Sequence, residues 1–139
     1  MIQPPRPGDL MDLESQEAVA YLEAAPWVRI GFIVEGAPIV LPINVLLHEE
    51  AIYFRTSAGS KLGTAASSGR VVIQADGGDE STRIGWSVLV HGEATIVTDP
   101  RLEEKLFALP FEPWALPDDR PFWVEVSVRS MSGRRIVRD

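Results

Sequence analysis

The densest set of anion-binding groups in this chain lies in Tyr53-Phe54-Arg55-Thr56-Ser57-Ala58-Gly59-Ser60-Lys61-Leu62. A strand-like run ends on arginine, a small polar loop follows, and a lysine stands at the start of a helical pattern. Arginine offers a planar fork of donors, and serine and threonine offer hydroxyls. Glycine lets the backbone come close, and a helix start adds free N–H groups and the positive end of a dipole. The layout suits a dianionic phosphate. It equally suits a plain strand-to-helix connection with solvated charges, because short motifs carry a high false-positive risk.

Asn44 is the sole asparagine and sits in the apolar run Val40-Leu41-Pro42-Ile43-Asn44-Val45-Leu46-Leu47. A buried amide without partners costs a few kcal/mol, about 1–3 by mutational measures. Pro42, two residues earlier, leaves the strand ladder incomplete. Either a strand turns its polar groups to a ligand here, or Asn44 ties down a nearby loop. Trp86-Ser87 opens a long strand; the indole fits core packing, an interface or a stacking surface for a flat ring. Trp114 and Trp123 share that ambiguity. Arg134-Arg135 is a basic pair near the C-terminus, either solvated or in contact with an anion.

Other chemistry lacks its residues. The two histidines, His48 at a turn and His91 on a strand, show no zinc-ligand spacing, so no metal is expected. No serine sits in a nucleophile elbow, and neither Gly-x-Gly-x-x-Gly nor a Walker loop occurs. No carboxylate pair suits general acid/base work, so no catalytic residue is assigned. Cysteine is absent, which excludes thiolate chemistry and a disulfide framework. The net charge of −7, with eleven arginines and two lysines, argues against a nucleic-acid partner. No apolar run approaches the ~20 residues that span a bilayer, and Met1 to Asp9 carries no hydrophobic signal segment. A cytoplasmic protein without a membrane partner is the expectation.

The elements that must position these groups are mostly strands. A helix is expected from a cap at Asp12 or Ser15 to about Ala25, ended by Pro26. Val28 to Val34 alternates with period two. Ile39 to Leu47 reads as one strand buried on both faces, and Ala51 to Arg55 as a third, the three forming an antiparallel meander. Ser60 to Ser68 is a short helix stopped by Gly69. Val71 to Ala75 is a strand, followed by a polar loop from Asp76 to about Arg83. Gly85 to Val97 is a long strand bent or bulged at Gly92. Asp99-Pro100 caps a helix whose Leu102, Leu106 and Leu109 share a face. An irregular Pro-rich loop covers 110–121, then Phe122 to Arg129 and Arg134 to Val137 complete the strands. Six or seven strands in successive hairpins favour a closed or nearly closed antiparallel barrel. At this length the chain is expected to form one domain, 1–139, with residues 1–11 a flexible N-terminal segment.

The order and spacing of several segments resemble the pyridoxamine 5′-phosphate oxidase-like family, in particular its small actinobacterial-type members. They are Arg29-Ile30-Gly31-Phe32, Pro42-Ile43-Asn44, Phe54 to Leu62, Gly85 to Ala94, Pro113-Trp114-Ala115 and Ser132 to Ile136. The resemblance runs from about Leu22 to Ile136. It implies a mainly β fold, the antiparallel FMN-binding split β-barrel with flanking helices, and a homodimer with two flavin sites at its interface. By position, Arg55, Thr56, Ser60 and Lys61 would hold the FMN phosphate. Pro42, Ile43, Asn44 and Val45 would line the isoalloxazine, and Trp86 and Ser87 would approach it from the other subunit. Trp114 and Arg134 would close the substrate side.

The chain also departs from that family. True pyridoxamine phosphate oxidases carry a basic segment where this chain has Pro42 to Leu47, and a further basic residue beside the position of Lys61. They also carry a C-terminal Arg/His signature, of which Arg134 is only an echo. The resemblance therefore implies a flavin-dependent oxidoreductase acting on a small molecule other than vitamin B6. Relatives also use a deazaflavin coenzyme or haem. A deazaflavin-dependent reductase, or a non-catalytic flavin- or haem-binding module, is the alternative.

Overall fold

Residues 43 and 46 decide the architecture. In the computed structural model, which describes residues 3–57, 59–115 and 122–138 (the side chains of Ser67 and Ser68 aside), they end one strand and begin another. The strands are β1 (Leu10–Asp12), β2 (Val28–Val34), β3 (Ala37–Ile43), β4 (Leu46–His48), β5 (Ala51–Thr56), β6 (Arg70–Asp79), β7 (Ile84–Ile96) and β8 (Phe122–Ile136). Their order across the sheet is β3-β2-β6-β7-β8-β5-β4, with β1 added to β8. β3 and β4 are therefore opposite edges. In a flat sheet, six spacings of about 4.8 Å would hold them about 29 Å apart. Three residues of chain reach only about 10 Å. The sheet must curl until its edges nearly meet, leaving a seam crossed by Asn44 and Val45. This is the expected split β-barrel, antiparallel throughout.

The single strand expected over Ile39 to Leu47 is thus two edge strands, and the three-strand meander is two separate hairpins. β3 is not buried on both faces; Val40 is 64% exposed. Apolar composition alone could not tell a doubly buried strand from one at an uncovered edge. At the other end, the two strands expected after Phe122 are one, and the loop expected at Asp76 to Asp79 continues β6. The N-terminal segment expected to be flexible ends in β1, where Leu10 faces Ile136 and Asp12 faces Arg134. The first helix, α1 (Ser15–Ala24), is capped by Glu14, whose N–H donates to the Glu17 carboxylate at 3.3 Å. Gly92 is the expected bulge: His91 faces Ser130 but Gly92 faces Val128.

Two apolar clusters hold these parts. The larger fills the barrel with inward side chains such as Ile30, Ile73, Val88, Val90 and Val126. It is plugged by Ala18 and Leu22 of α1 and by Leu62 and Ala65 of α2 (Lys61–Ser68). The smaller lies outside β5 and β8, where Leu106 of α3 (Pro100–Ala108) packs with Tyr53, Val97 and Trp123. β5 and residues 123–126 of β8 are consequently covered on both faces. No helix among the described residues is long and apolar enough to cross a membrane. Of the irregular loop expected over 110–121, residues 116–121 lie outside the described ones.

Candidate functional site

Several of the singled-out residues meet where the seam reaches one end of the barrel. Pro42 and Ile43 end β3, Asn44 crosses the seam, Arg55 stands near the end of β5 and Leu62 lies in the first turn of α2. Together with Trp27, Pro113 and Ala115 they line a cleft of about 40 Å³.

The anion-binding segment is locally ordered by its own hydroxyls. Ser60 is the N-cap of α2, and its oxygen accepts from the Gly63 N–H at 2.9 Å. The same hydroxyl lies 2.9 Å from that of Thr56 and donates to the Ser57 carbonyl at 2.8 Å. Thr56 is 1% exposed. These two hydroxyls fix the loop's shape, while Arg55 and the exposed Lys61 supply its charge. No aspartate or glutamate occurs between Glu50 and Asp76, in a chain whose acids outnumber its bases. Arg55 is oriented by two rings, its guanidinium carbon 5.0 Å from the Phe107 centroid and 5.9 Å from that of Trp123. Gly59 has φ +77, a backbone conformation that favours glycine, and no atom lies within 4 Å of where its Cβ would stand. The donor set fits a phosphate.

Asn44 has a defined task. Its amide N–H donates to the Pro26 carbonyl at 2.6 Å, and its side-chain oxygen accepts from the Trp114 N–H at 2.8 Å. The amide joins the entry of β2 to the 111–115 strap. Beside it the rings of Trp27 and Trp114 stack with centroids 4.9 Å apart and planes 20° from parallel. Val45 completes the crossing and packs against the barrel core.

Of the other expected site residues, Val45, Thr56, Ser60, Lys61 and Trp114 stand within two positions of its lining without forming it, and Trp86, Ser87 and Arg134 lie apart from it, as do the two histidines. Trp86 stacks on Tyr21 of α1 at 4.6 Å and lies over Gly77, where a Cβ would come within 2.6 Å of its ring. Ser87 is opposite Asp76 on one side and Arg134 on the other. Arg29, on the outer face opposite Pro42, donates to Gln74 at 3.1 Å and reaches Asp76 at 3.5 Å. His48 is on β4 and His91 at the β7 bulge.

Trp27 and Phe107 escaped the sequence reading. For Trp27 a signal existed, because Pro26-Trp27 and Pro113-Trp114 are the same dipeptide and their rings meet. Phe107 carried no signal beyond helix spacing.

Comparison with known proteins bears on the family and the fold. The profile of the pyridoxamine 5′-phosphate oxidase family matches residues 14–135. This chain belongs to that family. It is 30% identical over 137 residues to an uncharacterized protein of Mycobacterium tuberculosis, covering 94% of this chain and 88% of that one. The FAD-binding protein of Mycobacterium smegmatis is 28% identical and superposes with a TM-score of 0.70, over 93% of this chain and all (100%) of that one. An FAD-binding protein of Mesorhizobium loti shares the fold at 22% identity and a TM-score of 0.71, covering 92% of this chain and 99% of that one.

Proposed function

We propose that this protein is a homodimeric, FMN-binding oxidoreductase acting on a small molecule other than a B6 vitamer. The observation that carries the reading is the acid-free segment with Arg55 and Lys61 beside the seam cleft, in a chain of this family. Support for a flavin also comes from the M. smegmatis relative, which is an FAD-binding protein.

Arg55 and Lys61 would hold the phosphate by charge-assisted hydrogen bonds, with the capped start of α2 behind them. Pro42, Ile43, Asn44 and Val45 would face the ring, apolar side chains excluding water while Asn44 holds the strap. Trp86, Ser87 and Arg134 lie away from the cleft, so they would reach a flavin only from a second copy of the chain. The uncovered apolar face of β2 and β3, with Ile33 61% and Val40 64% exposed, supports such a copy. A bound flavin would supply the redox step, taking two electrons from a donor and passing a hydride to an electron-poor acceptor such as a quinone or nitro compound. The protein's part is binding, orientation and exclusion of water.

The test is an FMN titration of the wild type, Arg55→Ala and Lys61→Ala, followed by flavin fluorescence. Each variant loses a contact worth about 1.5–3 kcal/mol, so affinity should fall about ten- to a hundredfold. Because Arg55 also packs on Phe107 and Trp123, the exposed Lys61 gives the cleaner result. Unchanged affinity in Lys61→Ala would place the phosphate elsewhere.

A further inference from the structure

The cleft is too small for what it is read as holding. About 40 Å³ takes roughly one water, whereas small-molecule sites run to about 300 Å³ or more. Half of its walls, Pro42, Ile43, Arg55 and Leu62, are built on strands or α2; the other half, Trp27, Asn44, Pro113 and Ala115, belong to connecting segments. Widening falls to these.

Trp27 is 39% and Trp114 65% exposed, so apolar burial explains little of their stacking. The pair is kept together by Asn44, which holds the Pro26 carbonyl on one side and the Trp114 N–H on the other. Trp27 lines the cleft with Pro42, Ile43 and Leu62, and Trp114, between the lining residues Pro113 and Ala115, stacks on it; the covered indole is an aromatic surface whose other use is to receive a ring.

We propose that the indole of Trp27 is the stacking platform for a flat, electron-poor aromatic ring in the seam cleft, a platform that Trp114 covers in this structure. When such a ring enters, the Trp114 end of the strap moves off and one stack replaces another, so the exchange costs little beyond the Asn44–Trp114 bond. The preference for electron-poor rings follows from the negative face of indole. Trp27 thereby selects for flatness, and Trp114 competes with the ligand. As a statement about the flavin or its acceptor, this rests on the reading under Proposed function.

The experiment follows the circular-dichroism couplet that two stacked indoles produce, in the full-length protein titrated separately with FMN and with 2-methyl-1,4-naphthoquinone. Either ring should abolish the couplet saturably, at the midpoint found by fluorescence quenching. Trp27→Ala should weaken binding of the probes about tenfold, Trp27→Phe should restore most of it, and Trp114→Ala should bind at least as tightly as wild type. FMN bound with the couplet intact, or Trp27→Ala binding as wild type, overturns the inference and leaves the flavin reading standing. No FMN uptake while the quinone still separates the indoles overturns the flavin reading alone. If neither probe binds and the couplet persists, both fall. The wild-type titration decides even if a variant does not fold.

Discussion

The backbone N–H of Trp114 donates to the side-chain oxygen of Asn44 at 2.8 Å, and this bond ties the 111–115 strap to the seam between the two edge strands. The other end of the same amide holds the Pro26 carbonyl. Both bonds are exposed, so water can take over the freed groups, and Asn44→Ala should cost about 0.5–1.5 kcal/mol per bond in urea unfolding. Asn44→Asp keeps the acceptor but turns a carboxylate toward the Pro26 carbonyl. It should be at least as destabilised at neutral pH and should recover relative to wild type below about pH 4, where the protonated acid can donate again. A loss independent of pH would contradict the assigned orientation.

Tyr53 gives the fold a measurable alkaline limit. Burial first, then its 2.7 Å hydrogen bond to Glu125 and the nearby negative charge, push the Tyr53 hydroxyl far above its ordinary value. The folded state keeps that proton after the unfolded chain has lost it. This contribution is complete below about pH 10 and declines as pH rises beyond it. Tyr53→Phe should remove that part of the slope in unfolding measured between neutral and alkaline pH. An identical slope in the variant would show that Tyr53 is not its source.

Two glycines should respond differently to a methyl group. At Gly92 a Cβ would stand 2.6 Å from the Ser127 carbonyl oxygen, where backbone cannot give way without breaking the bulge. At Gly36 nothing lies within 4 Å, and φ +80 is the sole objection. Gly36→Ala should cost about 1–2 kcal/mol from left-handed strain. Gly92→Ala should cost more, at or beyond the usual ~1–3 kcal/mol of overpacking. Denaturant midpoints in the reverse order would refute the bulge geometry.

A charge on the uncovered sheet face tests the proposed dimer. Val40→Glu sits beside a groove lined by Gly31, Ile33 and Val72, and should lower the sedimenting mass toward that of one chain. If Trp86, Ser87 and Arg134 serve a partner's flavin, FMN affinity should fall with it. A Val40→Glu protein that remains dimeric and binds FMN normally would place the interface elsewhere.

Local patterns were readable because their causes are local. The alternation of Val28 to Val34, the Asp99-Pro100 cap, Ser60 and Gly69 bounding α2 and the Gly92 bulge all follow from neighbours in sequence. The seam was not readable. Ile39 to Leu47 is continuously apolar, and the fact that its halves belong to opposite edges depends on a sheet order set by strands up to ninety residues away. Asn44 was left open between ligand and latch for the same reason, since Trp114 is 70 positions distant. Successive hairpins pointed to a nearly closed antiparallel barrel, the family resemblance supplied its split form, and the residues alone supplied the charge of the Arg55 to Lys61 segment.

The most direct test of the central claim is the absorbance spectrum of the purified protein, completed by titration with FMN and with FAD. A flavin spectrum, or its appearance on titration, saturating near one FMN per chain, is the expected result. A colourless protein that takes up neither flavin would contradict it.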